Sequence, residues 1–400
     1  MHIVLLSPAW PYGARPNGIV TYVHFMVRGL EARGHRVTVM SGDMKLIHEG
    51  PRATRIPPPS RLTQRLCRLV ARPLTVFDGW RGVARAINRL HATDPVDVVE
   101  MEETFGLPAE VSQRVKAAVV TKLHGPAFLH LVEEEQSTDA GQRRIDAEGR
   151  ALSTLPVITA PSLWTLDQTL ARYGLHPAIA KVIANPIEDL PMLPLWDPSR
   201  CDRQRVLFVG RFDKVKGADL VIEAFARLAA LRPSLRLTFV GPDSGLVEPN
   251  GAKRCLVEFV DSLGDPSVAD RIDVCGSLHP SAIQLLRPQA AVTVVASRQE
   301  SQGYTALEAM LQACPLVCTD SSGLSELVQH EVTGLKARSE DAADIATQID
   351  RLLSSPRLAQ KLGSAARAYV LEHHSPDEVA RQTLDVYEQA ISLRSQSRRA

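Results

Sequence analysis

The chain has 400 residues, 44% of them hydrophobic and 23% charged, with a formal net charge of +1. That length exceeds what a single hydrophobic core usually organises and points to two domains of about 150 to 200 residues each. The composition excludes a disordered or low-complexity chain, and the near-zero charge gives no reason by itself to expect a polyanionic partner.

The chain opens with an apolar run, residues 2–6, that reads as a buried strand. Pro8 stops it and no basic region precedes it, so we expect no signal peptide. Nothing downstream reaches the roughly 18 apolar residues of a membrane span. An amphipathic helix over 21–33, a turn at Gly34 and a strand over 36–40 complete one βαβ unit. The next segment is basic. From residue 45 to 90 the ten cations Lys45, Arg52, Arg55, Arg61, Arg65, Arg68, Arg72, Arg81, Arg85 and Arg89 face only Glu49 and Asp78, a local balance of about +8. Within it Leu62, Leu66, Leu69 and Val70 recur at helical spacing among Arg61, Arg65, Arg68 and Arg72. Such a helix either rests on an anionic membrane surface or turns its leucines to the core beneath surface salt bridges. Apart from Phe77 and Trp80 the segment has no interleaved aromatics, so nucleic acid is not an expected partner.

Further strands are expected at 97–101, 118–123, 157–160 and 180–183, which would finish a first doubly wound domain, 1–186. Pro186, Pro191, Pro194 and Pro198 cannot continue a regular element and mark a linker, 187–203. A second domain, 204–375, then repeats the pattern: strand 206–209, helix 219–231 with Leu220, Ala224, Leu228 and Leu231 on one stripe, and strands 236–240, 272–275, 291–295 and 316–319. A last helix, 376–393, follows. The alternation predicts an α/β chain of two Rossmann-like domains with a ligand outside the carboxyl ends of the strands, between the two. The six cysteines (Cys67, Cys201, Cys255, Cys275, Cys314 and Cys318) contain one close pair only, so we expect reduced thiols in a cytoplasmic protein and no zinc site.

Two loops carry the chemistry. Gly210-Arg211-Phe212-Asp213-Lys214-Val215-Lys216-Gly217 follows the opening strand of the second domain and holds two cations five residues apart, suited to a diphosphate, although alone it could be a solvated turn. Glu300-Ser301-Gln302-Gly303-Tyr304-Thr305-Ala306-Leu307-Glu308 follows strand 291–295. Gly303 permits a tight turn there, and a helix starting near Tyr304 and Thr305 would aim its N–H groups at an anion. Glu300 and Glu308 could each hold paired sugar hydroxyls. Singly, a loop Glu and a helix Glu are usually just solvated.

Together these positions resemble family 4 of the retaining glycosyltransferases, whose marks are a Gly-Arg turn with Lys-Gly five residues on and two Glu separated by seven residues. The resemblance implies the GT-B fold, two facing Rossmann-like domains, with the last helix packing back on the first. It implies that Gly210 and Gly303 let the donor approach, that Arg211 and Lys216 neutralise the donor pyrophosphate, that Glu300 contacts the transferred sugar, and that Glu308 binds the ribose. Weaker marks are Asn17-Gly18, similar to the family's Gly-Gly loop and so expected to bind the donor, and Asn185-Pro186, similar to its Asn-Gly hinge. Gly323-Leu324-Ser325-Glu326 and Thr333-Gly334 look like its later nucleotide-side loops. Asn17 departs from the usual Gly, but Asn tolerates a left-handed backbone better than other residues and can keep the loop. Gln302 stands where an aromatic is common. His124 in Leu123-His124-Gly125-Pro126 matches a His that contacts the donor sugar in the family; its other reading is a hydrogen-bonded structural His. Glu102 and Glu103, also after a strand end, we read as structural.

The function so implied is transfer of a hexose from a UDP- or GDP-sugar to a glycan, lipid-linked or small-molecule acceptor. The mechanism is front-face substitution with retention, without cofactor or metal; no Asp-x-Asp motif is present. A nucleotide-sugar epimerase of the same fold and a noncatalytic sugar-nucleotide binder are the alternatives. A nicotinamide dehydrogenase would want a Gly-x-Gly-x-x-Gly turn that neither half supplies.

Overall fold

The computed structural model describes residues 1–12, 17–41, 79–131, 133–248 and 251–398. Most of the basic segment, residues 45–78, with the membrane-helix reading of 61–72, lies outside the described residues. The chain divides into two compact units: Met1–Phe128, Thr138–Pro186 and Pro376–Ala400 in the first, Leu129–Ser137 and Ile187–Ser375 in the second.

The first unit contains β1 (His2–Ser7), α1 (Gly18–Ala32), β2 (Arg36–Ser41), α2 (Gly79–Thr93), β3 (Val98–Glu102), β4 (Ala118–Lys122), α3 (Asp139–Leu152), β5 (Val157–Ala160), α4 (Leu163–Tyr173) and β6 (Ile179–Val182). Its strands form one parallel sheet in the order β2-β1-β3-β4-β5-β6. The central strands carry apolar runs because helices cover both faces: Ile3, Val4 and Leu5 of β1 and Val98 and Val99 of β3 have no exposed surface. Since β2 and β3 flank β1 on opposite sides, the connection reverses direction there, and the switch point lies between β1 and β3.

Local chemistry sets the helix ends. Asn17 Oδ1 accepts from the N–H of Ile19 at 2.8 Å, which starts α1; Ser162 Oγ accepts from Thr165 N–H at 3.2 Å, which starts α4, and Gly174 ends it in the left-handed region. The left-handed backbone considered for Asn17 is not adopted: its φ is −156°, because a residue in the capping position is extended and bends only its side chain back to the helix. In α2, Val83, Ala84, Ile87 and Leu90 are buried while Arg81, Arg85 and Arg89 are exposed.

The second unit contains β7 (Asp202–Val209), α5 (Ala218–Leu231), β8 (Arg236–Val240), β9 (Ile272–Gly276), β10 (Ala290–Val295), α6 (Tyr304–Leu311), β11 (Leu316–Thr319), α7 (Ser322–Leu327), β12 (Leu335–Ala337), α8 (Ala342–Ser354) and α9 (Pro356–His373). These strands are again parallel, in the order β9-β8-β7-β10-β11-β12, so the switch point lies between β7 and β10. The proline-rich stretch folds onto this unit. Trp196 Nε1 donates to the Ala290 carbonyl at 2.9 Å, and Arg367 donates to Asp189 at 2.6 Å.

The C-terminal helix, Pro376–Ser397, belongs to the first unit. Arg33 Nη2 donates to Asp377 Oδ2 at 2.8 Å, and Arg394 Nη2 donates to the carbonyls of Ser112 and Val115 at 2.9 and 2.8 Å. Among the described residues no helix is long and apolar enough to cross a membrane. Helix α1 meets the C-terminal helix at Gly29, where an added Cβ would lie 2.1 Å from the Pro376 carbonyl oxygen. Gly29→Ala should therefore push the two helices apart and destabilise the first unit by about 1 to 3 kcal/mol. A lower urea midpoint by circular dichroism is the expected result; an unchanged midpoint would contradict this packing.

Candidate functional site

In the second unit the two motif loops leave from the ends of neighbouring strands, β7 and β10, at the switch point. They are in direct contact. Lys216 Nζ donates to Glu300 Oε2 at 2.5 Å, and Ser297 Oγ donates to the same oxygen at 3.2 Å. Glu300 is fixed through its backbone as well: its N–H donates to Ser322 Oγ at 2.9 Å, and its carbonyl accepts from Gly323 N–H at 2.9 Å. Arg211, half exposed, donates from Nε to Asp213 Oδ2 at 2.6 Å, while Asp213 Oδ1 accepts from the Lys216 N–H at 2.7 Å. One carboxylate thus orders both cations of the turn that begins at Gly210.

The close approach of these loops requires glycine. Gly217 has φ +65°, and a Cβ there would lie 1.9 Å from the Ala296 carbonyl oxygen; a Cβ on Gly323 would lie 2.0 Å from that of Ser301. Arg298, which the sequence reading missed, ties the loops from behind. Its Nη1 and Nη2 donate to Asp219 Oδ1 and Oδ2 at 2.7 and 2.8 Å, its Nε donates to Glu340 at 2.6 Å, and Nη1 also reaches the Lys214 carbonyl at 2.6 Å. Burial works against this guanidinium, but the two carboxylates raise it above its ordinary value. Asp219 and Arg298 stand 79 positions apart, so no local pattern could have paired them.

Gly303, at φ +87°, precedes α6, whose first turn holds Tyr304 and Thr305, and brings it no capping side chain. Glu308 lies one turn further on. Its Oε2 accepts from Arg287 Nη2 at 2.6 Å, a second partner the sequence did not reveal, and its side chain is 29% exposed. Ser301 and Gln302 are buried.

In the first unit, Asn17 and Gly18 start α1 and His124 follows β4. Glu103 is buried, as its structural reading required: its two carboxylate oxygens accept the N–H groups of His124 at 2.9 Å and Gly125 at 2.7 Å. The His124 ring meets the edge of Tyr22, with centroids 4.8 Å apart, and Tyr22 Oη donates to Glu100 at 2.8 Å. Lys122 Nζ lies over the Tyr22 ring and donates to the Ile183 carbonyl. Burial pushes Glu103 up to about 8 and draws Lys122 down to about 8. Among the described residues, no group of three or more His, Cys, Asp or Glu side chains could hold a metal ion.

Comparison with known proteins gives a consistent pattern. The family description "Glycosyltransferase Family 4" matches residues 16–189, and "Glycosyl transferases group 1" matches residues 198–369. A D-inositol 3-phosphate glycosyltransferase of Acidothermus cellulolyticus is 27% identical over 94% of this chain and 87% of its own length. Sucrose-phosphate synthase from Thermosynechococcus elongatus superposes with a TM-score of 0.75 at 21% identity, over 98% of this chain and 99% of the other. Anabaena HepE in complex with UDP-glucose gives 0.67 at 18% identity, over 97% and 100%. These likenesses bear out the GT-B fold class read from the sequence.

For Glu300, burial acts upward and Lys216 downward, and Lys216 prevails, holding the carboxyl below its ordinary value. A depressed folded value means that the pair's stabilisation is complete above the unfolded glutamate value and is lost as pH falls through the folded one. In Lys216→Met the carboxylate keeps Ser297 Oγ but loses its charged partner, which should cost about 2 to 3 kcal/mol at neutral pH. The loss should be smaller at about pH 5 than at neutral pH, because burial, no longer opposed by Lys216, moves the carboxyl upward and favours its neutral form as pH falls. Urea unfolding at the two pH values checks this; an equal loss at both would contradict it.

Proposed function

Because the chain belongs to glycosyltransferase family 4, we propose that it transfers a hexose from a nucleotide-diphosphate sugar to an acceptor hydroxyl with retention of configuration. It is an enzyme of the transferase class. UDP- and GDP-sugars are the candidate donors, and the HepE complex makes UDP-glucose the first to try. Glycan, lipid-linked and small-molecule acceptors are all open. The Acidothermus relative is named for D-inositol 3-phosphate, which makes a polyol phosphate the first small acceptor to test.

The observation that carries this reading is the contact of Lys216 with Glu300 at 2.5 Å, at the switch point from which α6 also leaves. In the proposed reaction Arg211, Lys216 and the first turn of α6 at Gly303, Tyr304 and Thr305 take the pyrophosphate. Glu300 takes hydroxyls of the transferred sugar, Glu308 takes the ribose, and Gly210 leaves room for close approach. Asn17, Gly18 and His124 are the first unit's candidates for contact with the reacting groups. The bond from the sugar's anomeric carbon to the diphosphate oxygen breaks as the bond to the acceptor oxygen forms on the same face. The acceptor's proton passes to the leaving diphosphate. Stabilising that leaving group is the main work of the site. Neither metal nor cofactor has a part in this scheme.

An epimerase would turn over the donor without acceptor, and a noncatalytic binder would release no nucleotide diphosphate; family membership stands against both. Cytoplasmic location and contact with an anionic membrane surface through residues 45–90 also belong to the proposal. The exposed Arg81, Arg85 and Arg89 of α2 support that contact.

Isothermal calorimetry and diphosphate release across UDP-, GDP- and ADP-sugars should find one tightly bound donor. Lys216→Ala should lower turnover about a hundredfold, roughly 3 kcal/mol, and Glu308→Ala should weaken donor binding; no donor bound at all would overturn the reading. Turnover should survive excess EDTA, and loss of activity restored by a divalent cation would contradict the metal-free scheme. Flotation with anionic vesicles should be salt-sensitive, and its absence would remove the membrane contact.

A further inference from the structure

Arg287 has no exposed side-chain surface, yet it reaches the one carboxylate on α6 that the proposed function assigns to the nucleoside. It sits in the turn Arg287–Gln289 just ahead of β10. Its Nη2 donates to Glu308 Oε2 at 2.6 Å, and its Nη1 donates to Gln312 Oε1 at 3.1 Å. Gln312, one turn after Glu308 on the same face, donates in turn to the carbonyls of Gln284 at 2.7 Å and Pro194 at 3.0 Å. Its amide is therefore fixed, with the oxygen aimed at the guanidinium. Glu308 Oε1 has no partner among the described residues.

A buried guanidinium is an expensive way to fill this space. Its Nε is buried without a partner among the described residues, and an apolar side chain of similar volume is often neutral or stabilising where a buried ion pair is replaced. What the guanidinium offers instead is direction. Its planar fork holds two acceptors at set angles, which a point charge cannot do. With Gln312 locked from the other side, the fork can satisfy both acceptors only if the Glu308 carboxylate keeps one orientation, Oε2 inward and Oε1 outward.

We propose that Arg287 is a positioning residue for the donor nucleoside, orienting Glu308 so that its outward oxygen receives the ribose hydroxyls. The proposal rests on the assignment of Glu308 to the ribose. It predicts that Arg287 sets discrimination in favour of ribose without touching the ligand.

The experiment is calorimetric binding of UDP and of its 2′,3′-dideoxy analogue, or of the GDP pair if GDP is the nucleotide bound, to wild type, Arg287→Met, Arg287→Lys and Glu308→Gln, with melting temperatures measured alongside. Wild type should prefer the ribonucleotide by about tenfold or more, and Glu308→Gln should abolish most of that preference. Arg287→Met should lose a comparable part of it while binding the dideoxy analogue as tightly as wild type, a combination that a purely structural role would not give; its melting temperature should fall, because Glu308 and the Gln312 oxygen lose their donor. Should Arg287→Met fail to fold, Arg287→Lys carries the test, since its point charge lacks the fork and the preference should fall severalfold. Wild-type preference in a folded Arg287 variant, with Glu308→Gln defective, would overturn the positioning role alone. Wild-type preference in Glu308→Gln would overturn the ribose assignment and this proposal together.

Discussion

The ion pair between Lys216 and Glu300 is the contact on which the second unit's site depends. It joins the loops after β7 and β10, and most of each side chain is withdrawn from water. Either charge without the other would carry a burial penalty that its partner no longer offset; together they join the two strand ends. The loops can come that close because Gly217 and Gly323 have no Cβ to strike the carbonyls of Ala296 and Ser301. On the proposed function the same pair is poised for a ligand with anionic and hydroxyl groups side by side, one for each partner.

Behind that contact stands a second tier of buried or half-buried charge. Arg298 ties Asp219, at the start of α5, to the loop that carries Glu300, and Arg287 ties Glu308 to Gln312. The first unit follows the same rule, with Glu103 holding the backbone N–H groups of His124 and Gly125 and Glu100 holding Tyr22 against the His124 ring. In each case a side chain that need never touch a ligand fixes the loop that would. Dipoles and charges set in place during folding need little reorganisation when charge develops in a reaction, which is where most enzymes obtain their largest electrostatic gain.

Much of the architecture was legible because strands buried on both faces are short apolar runs; β1, β4, β10 and β11 read that way. Where the pattern weakens, so does legibility. The first four residues of β7, Asp202 to Arg205, alternate exposed and half-buried and carry no apolar signal, so the strand is longer than its hydrophobic part. Strand β12 has only three residues, and α3 hides its buried face in the polar string DAGQRRIDAEGRAL. The motif residues themselves stood out through spacing and type. Their pairings did not: Arg287, which no motif marks, lies 21 positions from Glu308, and the two motif residues Lys216 and Glu300 lie 84 apart, so only the tertiary fold brings them together.

The central claim, that the switch point of the second unit is a nucleotide-diphosphate site built on Lys216, Glu300 and the start of α6, is tested most directly by a crystal structure with UDP or GDP bound. The diphosphate should lie on Lys216 and the first-turn N–H groups of α6, with the ribose hydroxyls on Glu308. A nucleotide bound elsewhere, with the contact between Lys216 and Glu300 unchanged, would contradict it.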